Sequence, residues 1–116
     1  MKSDPFLANA TNALRQLRSH WEKSLAVHGD AHGQEEPFPQ DHNFVMRVGV
    51  KWMSKGKTFL LLAELDIPRQ SIHFRAEGGD RERALVKPTH PRECDAPLAE
   101  AVLGAFTRWV AEGLPE

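Results

Sequence analysis

The chain has 116 residues, with 15 basic and 16 acidic side chains, 41% apolar residues, one cysteine and no tyrosine. A mean hydropathy of -0.49 excludes an integral membrane protein, because no stretch approaches the roughly 20 apolar residues that cross a bilayer. A chain of this length can bury roughly two thirds of its extended surface. Residues 1–116 are therefore predicted to form a single domain with its own core.

The first predicted element is a long amphipathic helix. Asp4 can cap free amide groups, and Pro5 at the first helical position gives up no donor that the helix needs. The pattern predicts a helix over 5–28 that ends at Gly29. Six apolar residues then recur at spacings of three and four, as on one helix face: Leu7, Ala10, Leu14, Leu17, Trp21 and Leu25.

The next segment, 29–43, carries two glycines and two prolines and has no apolar period. Such a composition predicts an irregular loop. After it, residues 44–52 are apolar at every even position, with Arg47, Gly49 and Lys51 at odd positions, which indicates a half-buried strand. A turn with Lys55 and Gly56 at its centre leads into a second strand over 58–66.

With that turn, the register of the hairpin is fixed. It sets Arg47 opposite Glu64, a favourable cross-strand charge pair. A shift by one residue would turn every apolar side chain to the other face. The register pairs apolar side chains throughout: Trp52 with Phe59, Val50 with Leu61, Val48 with Ala63, and Met46 with Leu65.

The pattern continues into a third strand over 71–77 and a short fourth strand over 83–87. The third strand sets Ile72 opposite Leu65 and Phe74 opposite Ala63, and Asp95 then caps a last helix. The order helix, three or four antiparallel strands, helix predicts an α+β two-layer sandwich with both helices on one sheet face. The last helix has a broad apolar stripe: Leu98, Val102, Ala105, Phe106, Trp109 and Val110.

The opposite sheet face is predicted to be open and basic. Residues 42–94 carry 10 basic and 6 acidic side chains, a net charge of +4, whereas both helical segments are acidic. Adjacent leucines among charges are typical of protein docking surfaces. The predicted partner-binding residues on this face are Arg47, Lys51, Leu60, Leu62, His73 and Arg75.

A nucleic-acid-binding module is the alternative. Basic hairpins at 47–57 and 75–92 could follow a phosphate backbone. Sequence-tolerant binding of single strands normally also uses aromatic rings on which bases stack. In the predicted register, Trp52, Phe59 and Phe74 instead fall on the core side.

Catalytic and metal sites have little support in the sequence. His28 with His32, and His90 with Cys94, have spacings found in ligand pairs, but neither has the second pair that a metal centre needs. For Cys94, the following helix favours the thiolate while its acidic neighbours oppose it. The chain has no nucleophile elbow and no phosphate-binding loop. The sequence therefore predicts no catalytic residue, no metal and no cofactor.

These observations predict a small non-catalytic binding protein, such as a regulator, inhibitor or adaptor. It is expected to dock to a larger protein or complex through the open sheet face. The start of the chain lacks the apolar core of a signal peptide, and one unpaired cysteine fits a reducing compartment, so a cytoplasmic location is expected. A nucleic-acid partner is the alternative, a homodimer is left open, and a membrane is not expected.

Overall fold

In a computed structural model, five antiparallel strands lie in sequence between two helices. The structure describes residues 5–37, 44–54, 56–66, 68–79 and 81–113. The strands form one sheet in chain order, so the predicted α+β class is confirmed, with five strands instead of three or four. The elements are α1 (Pro5–Ala26), β1 (Asp30–Pro37), β2 (Phe44–Ser54), β3 (Lys57–Asp66), β4 (Ser71–Gly78), β5 (Arg81–Ala84), a 3-10 turn (Pro91–Glu93) and α2 (Ala96–Gly113).

Part of the segment predicted as an irregular loop, 29–43, is strand β1. It runs antiparallel to β2, with Ala31 opposite Trp52. The prediction was wrong for 30–37 because this edge strand carries small and polar side chains that show no apolar alternation. Gly33 lies so close to α1 that a Cβ there would collide with the Glu22 carboxylate. Residues 38–43 lie outside the described residues.

Several other boundaries differ from the prediction by one to three residues. Helix α1 ends at Ala26, and β5 covers 81–84 where 83–87 was expected. The register of β4 and β5 would place Ile72 opposite residue 87, but Ile72 pairs with Thr89. The segment between β5 and Thr89 therefore contains two residues more than regular pairing with β4 would need, and it arches away from the edge of β4. Pro88 lies in this arch, where its missing N–H removes no hydrogen bond from the ladder.

The predicted register of the central strands is confirmed. Gly56 has φ 77°, a left-handed conformation that glycine adopts at no steric cost, and this fixes the turn between β2 and β3. Lys55, the other predicted turn residue, lies outside the described residues. The observed pairs include Trp52 with Phe59, Val50 with Leu61, Val48 with Ala63, Met46 with Leu65 and Arg47 with Glu64 between β2 and β3, and Leu65 with Ile72 and Ala63 with Phe74 between β3 and β4.

Two tryptophans join the layers on the apolar side of the sheet. The Trp21 ring lies edge-on to Phe74 of β4, and its Nε1 donates to the Ala99 carbonyl oxygen of α2 at 3.1 Å. Trp52 of β2 donates through Nε1 to the Leu25 carbonyl oxygen of α1 at 3.0 Å. Both helices therefore lie on the same sheet face, as predicted, and each indole donor has a partner inside the core.

The start of α2 also agrees with the sequence. Asp95 Oδ1 accepts a hydrogen bond from the Leu98 backbone N–H at 2.9 Å, which satisfies one of the free amides of the first turn. The stripe of α2 then reaches the sheet at Phe106, whose ring centroid lies 6.0 Å from that of Trp52. The aromatic side chains of β2 and α2 thus set the distance between the two layers.

Replacing Trp52 tests this arrangement. Trp52→Ala should lower the free energy of unfolding by about 3 to 5 kcal/mol, a large part of the roughly 5 to 15 kcal/mol typical of a domain. Trp52→Phe keeps a ring in the core but removes the donor to Leu25, so its cost should be about 1 kcal/mol. Urea unfolding measures both, and an alanine variant as stable as the phenylalanine variant would contradict the packing described.

Candidate functional site

The sheet face turned away from the helices carries the predicted site. Successive side chains of a strand point to opposite faces, so the residues between the core positions project from this side. We call it the open face. It comprises Asp30, His32 and Gln34 of β1; Arg47, Gly49, Lys51 and Met53 of β2; Thr58, Leu60, Leu62, Glu64 and Asp66 of β3; Ser71, His73, Arg75 and Glu77 of β4; and Glu82 and Ala84 of β5.

All six predicted partner-binding residues lie on the open face, but they are not equally accessible. Lys51 is exposed, while Arg47, Leu60, His73 and Arg75 are half-buried. Leu62, the sixth, is only 3% exposed. The prediction that both leucines form an exposed apolar pair is therefore wrong for Leu62.

Leu62 is buried because its neighbour on β2 is a glycine. A Cβ on Gly49 would lie 2.7 Å from Leu62 Cδ2 and 2.7 Å from the Leu61 carbonyl oxygen. The leucine side chain therefore lies across the adjacent strand instead of projecting from the sheet. Register arguments gave the direction of Leu62 but could not give this sideways packing.

The large accessible apolar groups of the open face are Leu60 and Met53. Met53 is 42% exposed and was missed in the sequence, although the odd-numbered alternation of β2 places it on this face. Beside Leu60, a shallow depression of about 210 Å³ lies over Gly49, with Gln34 and Glu77 on its rim. The face therefore combines a small apolar centre with a recess beside it.

Charges on this face are largely balanced within the sheet. Glu64 is 8% exposed, and Arg75 Nε lies 3.8 Å from its Oε1. Arg75 Nη2 lies 3.7 Å from Glu77 Oε2, and Arg47 is the cross-strand neighbour of Glu64 on the other side. The net charge of +4 over 42–94 therefore overstates the positive charge that this face presents.

At one end of the face, Asp66 is fully buried. Arg69 donates from Nη1 to Asp66 Oδ2 at 2.8 Å and from its backbone N–H to Oδ1 at 3.4 Å. Burial alone raises the pKa of Asp66, but these hydrogen bonds and the charges of Arg69 and His73 outweigh it, so the pKa is lowered. The ionised carboxylate fixes the turn between β3 and β4.

The group Ser71, His73 and Asp66 lacks the geometry of a catalytic triad. Ser71 Oγ lies 3.3 Å from His73 Nε2, and Asp66 Oδ2 lies 3.4 Å from the same nitrogen. In a triad, the histidine contacts the nucleophile through one ring nitrogen and the carboxylate through the other. The cluster is better described as a polar network that orients the β3–β4 turn.

The other chemical candidates of the sequence lie apart from the open face or are engaged elsewhere. His28 follows the end of α1 whereas His32 lies on β1, so the two do not share a helical turn. His90 Nδ1 accepts from the Arg92 backbone N–H at 3.1 Å. Within the residues that the structure describes, no group of three or more histidine, cysteine, aspartate or glutamate side chains is placed to hold a metal ion.

Cys94 is a protonated thiol at neutral pH. Burial, with smaller contributions from the charges of Asp95 and Glu93, raises its pKa from an ordinary 9.0 to about 11. The sequence alone does not give the direction of this pKa shift, because the start of α2 favours the thiolate of Cys94 whereas Glu93 and Asp95 oppose it. Because the thiolate is the reactive form, this site lacks an activated nucleophile.

The arginines of β5 do not extend the basic surface. Arg81 lies over the Trp109 ring, 4.6 Å from its centroid, and Arg83 Nη1 lies 3.6 Å from Glu112 Oε2. Both contacts are with α2, on the helix side of the sheet. The basic side chains of the predicted hairpin 75–92 are therefore divided between the open face, which carries Arg75, and the helix side, which carries Arg81 and Arg83.

A comparison of the chain with protein-family models, with curated proteins and with solved structures finds no match. Neither helix of the described part of the chain is long and apolar enough to cross a membrane. The geometry of the open face is therefore the basis for a functional proposal.

The Asp66 network predicts a pH-dependent effect of Arg69→Ala. Because the folded pKa of Asp66 is lowered, the ion pair stabilises the fold above the ordinary carboxyl value of 3.8, and this stabilisation is lost as pH falls through the folded pKa. At pH 7 the variant should lose about 1 to 3 kcal/mol of unfolding free energy. As pH falls below 3.8 and through the lower folded pKa of Asp66, the difference from wild type should shrink.

Urea unfolding at several pH values measures this loss, and Arg83→Ala is the control. Its ion pair with Glu112 is exposed on both sides, so its removal should cost at most about 1 kcal/mol. An equal loss for Arg69→Ala at pH 7 and at acidic pH would show that the Asp66 carboxylate does not carry the effect.

The raised pKa of Cys94 predicts slow alkylation. With a pKa of about 11 instead of 9.0, the thiolate fraction of folded Cys94 at pH 8 is about one hundredth of that of an ordinary cysteine. Iodoacetamide should therefore modify the folded protein about a hundred times more slowly than the urea-unfolded protein, with a rate that keeps rising toward pH 11. Rapid modification at neutral pH would revive the hypothesis of a cysteine enzyme.

Proposed function

We propose that this is a small, non-catalytic, cytoplasmic binding protein that docks to a larger protein or complex through the open face. The observation that carries the proposal is the apolar centre of Leu60 and Met53, bordered by charged side chains, on the sheet face opposite α1 and α2. Docking surfaces commonly combine such a centre with a polar rim. Leu60 and Leu62 differ in role, since Leu60 is accessible to a partner whereas Leu62 is buried.

Charge balance favours a protein partner over a nucleic acid. Glu64 and Glu77 offset Arg75, and Arg81 and Arg83 lie on the helix side. A phosphate backbone requires a continuous positive track, and base stacking requires rings. Among the side chains that the structure describes, every aromatic ring belongs to the core: Trp21, Trp52, Phe59, Phe74, Phe106 and Trp109.

The charged rim would set encounter rate and orientation. Lys51 is exposed beside Leu60, so it can attract an acidic partner before contact. Rim charges mostly change association rates and salt dependence, whereas desolvated apolar groups mostly change dissociation rates. Leu60 and Met53 are therefore expected to carry the affinity.

Affinity capture from the source cell, in the presence of nuclease, tests the proposal. The double variant Leu60→Ser and Met53→Ser should lose the specifically captured proteins, because it removes the apolar centre without entering the core. Val27→Ser is the matched control, since Val27 is 75% exposed and lies off the open face. Leu62→Ser is unsuitable, because a buried hydroxyl without a partner would destabilise the fold itself.

Two outcomes would overturn the proposal. One is equal capture by wild type, the serine double variant and Val27→Ser. The other is capture that nuclease abolishes and that falls steeply with salt, together with loss in Lys51→Gln, whose side chain is exposed. The second result would establish the nucleic-acid alternative.

A further inference from the structure

One row of side chains on the open face changes from basic to acidic across the sheet. The register of the five strands places His32, Lys51, Leu60, Glu77 and Glu82 opposite one another in strand order. His32, Lys51 and Glu82 are exposed, and Leu60 and Glu77 are half-buried. The row is therefore basic on the β1–β2 side, apolar on β3 and acidic on the β4–β5 side.

Such a row is complementary to itself. Consider two copies whose open faces are in contact, related by a two-fold axis that runs parallel to β3 between them. The strand order of the second copy is then reversed, so that β2 of one copy faces β4 of the other, and β1 faces β5. Lys51 then meets the second copy's Glu77, and Leu60 meets its own equivalent. Every contact occurs twice, as in any two-fold interface.

We propose that the open face pairs with a second copy of this chain across a two-fold axis parallel to β3. Leu60 lies on the axis, and the Lys51–Glu77 contacts lie on both sides of it. The proposal rests on the proposed function in one respect: both take the open face as a docking surface.

The neighbouring row supports the same axis. It contains Gly49, Leu62 and Arg75 in strand order. The two-fold operation places the second copy's Arg75 over the depression above Gly49, where Glu77 stands on the rim. Arg75, the longest side chain of the row, thus lies opposite the glycine of the second copy.

A third row contains Arg47, Glu64 and His73. The axis sets Arg47 against the second copy's His73, with the two Glu64 side chains between them. Each basic group keeps a carboxylate of its own chain as neighbour, Glu64 for Arg47 and Asp66 for His73. Like charges therefore meet in this row, each offset in part by a neighbour of its own chain, and the pairing depends on the row of Lys51 and Glu77.

The size of the face is sufficient for a reversible dimer. Five strands about 4.8 Å apart and about eight residues long cover roughly 600 Å² per copy. Two copies would bury roughly 1,200 Å², the lower end of the range for specific interfaces. A micromolar dissociation constant is the natural scale for such an area with a small apolar centre.

Reciprocal charge reversal tests the pairing. Lys51→Glu sets two carboxylates against each other at both contacts, and Glu77→Lys sets two ammonium groups against each other. Each variant alone should weaken the dimer at least about tenfold. An equal mixture of the two should dimerise again. In each mixed pair the introduced carboxylate of one chain faces the introduced ammonium group of the other, and the unchanged Lys51 faces the unchanged Glu77.

Sedimentation velocity over an about hundredfold range of concentration, centred on the micromolar scale expected above, measures the mass against 13.1 kDa for one chain. Circular dichroism and the Tm verify the fold of each variant. Glu77 contacts Arg75 within its own chain, so Glu77→Lys could disturb β4. In that case His32→Glu and Glu82→Lys, both at exposed positions, provide a second mixing pair.

A wild-type protein that stays monomeric at every concentration would overturn the second-copy proposal, and so would a mixture that fails to recover dimers. The proposed function fails separately, when the serine double variant captures the same partners as wild type. A monomeric protein whose capture depends on Leu60 and Met53 would retain the proposed function and lose only the second copy. A heterologous partner cannot produce rescue by mixing two single variants.

Discussion

The register of β2 against β3 is the constraint on which the rest of the structure depends. Gly56 closes the turn with φ 77°, and this sets Trp52 opposite Phe59 and Arg47 opposite Glu64. A slip by one residue would move the whole apolar set to the other side of the sheet. Both helices pack on the sheet face to which this register directs the large apolar side chains. The open face consists of the side chains that the same register directs to the opposite side.

The sequence could predict what depends on periodicity, and it missed what depends on neighbours across strands. The alternation of β2 to β4 and the Asp95 cap were readable because each follows from local chemistry. Strand β1 was missed because an edge strand with Gly33 under α1 has no apolar period. Leu62 was misjudged because its burial follows from Gly49 on the adjacent strand, a relation that only packing reveals.

The open face shows why net charge along a segment is a weak guide to a partner. Two of its carboxylates, Glu64 and Asp66, are buried beside Arg75 and Arg69, so these arginines offset charges of their own chain. Removing a basic partner would leave a buried negative charge, which is costly. Arg75 is therefore tied to the sheet more firmly than Lys51, and the mobile charge available to an approaching partner is mainly that of Lys51.

Self-pairing and docking to a larger partner would compete for the same surface. If the free chain is largely dimeric, the fraction with an open face is small, and the apparent affinity for a partner falls by that fraction. A variant that pairs more weakly with itself but keeps Leu60 and Met53, such as a correctly folded Glu77→Lys, should then bind a partner more tightly than wild type when that partner does not contact Glu77. The charge row would thus protect the apolar centre in the free protein while leaving it accessible to a partner that binds more strongly than a second copy does.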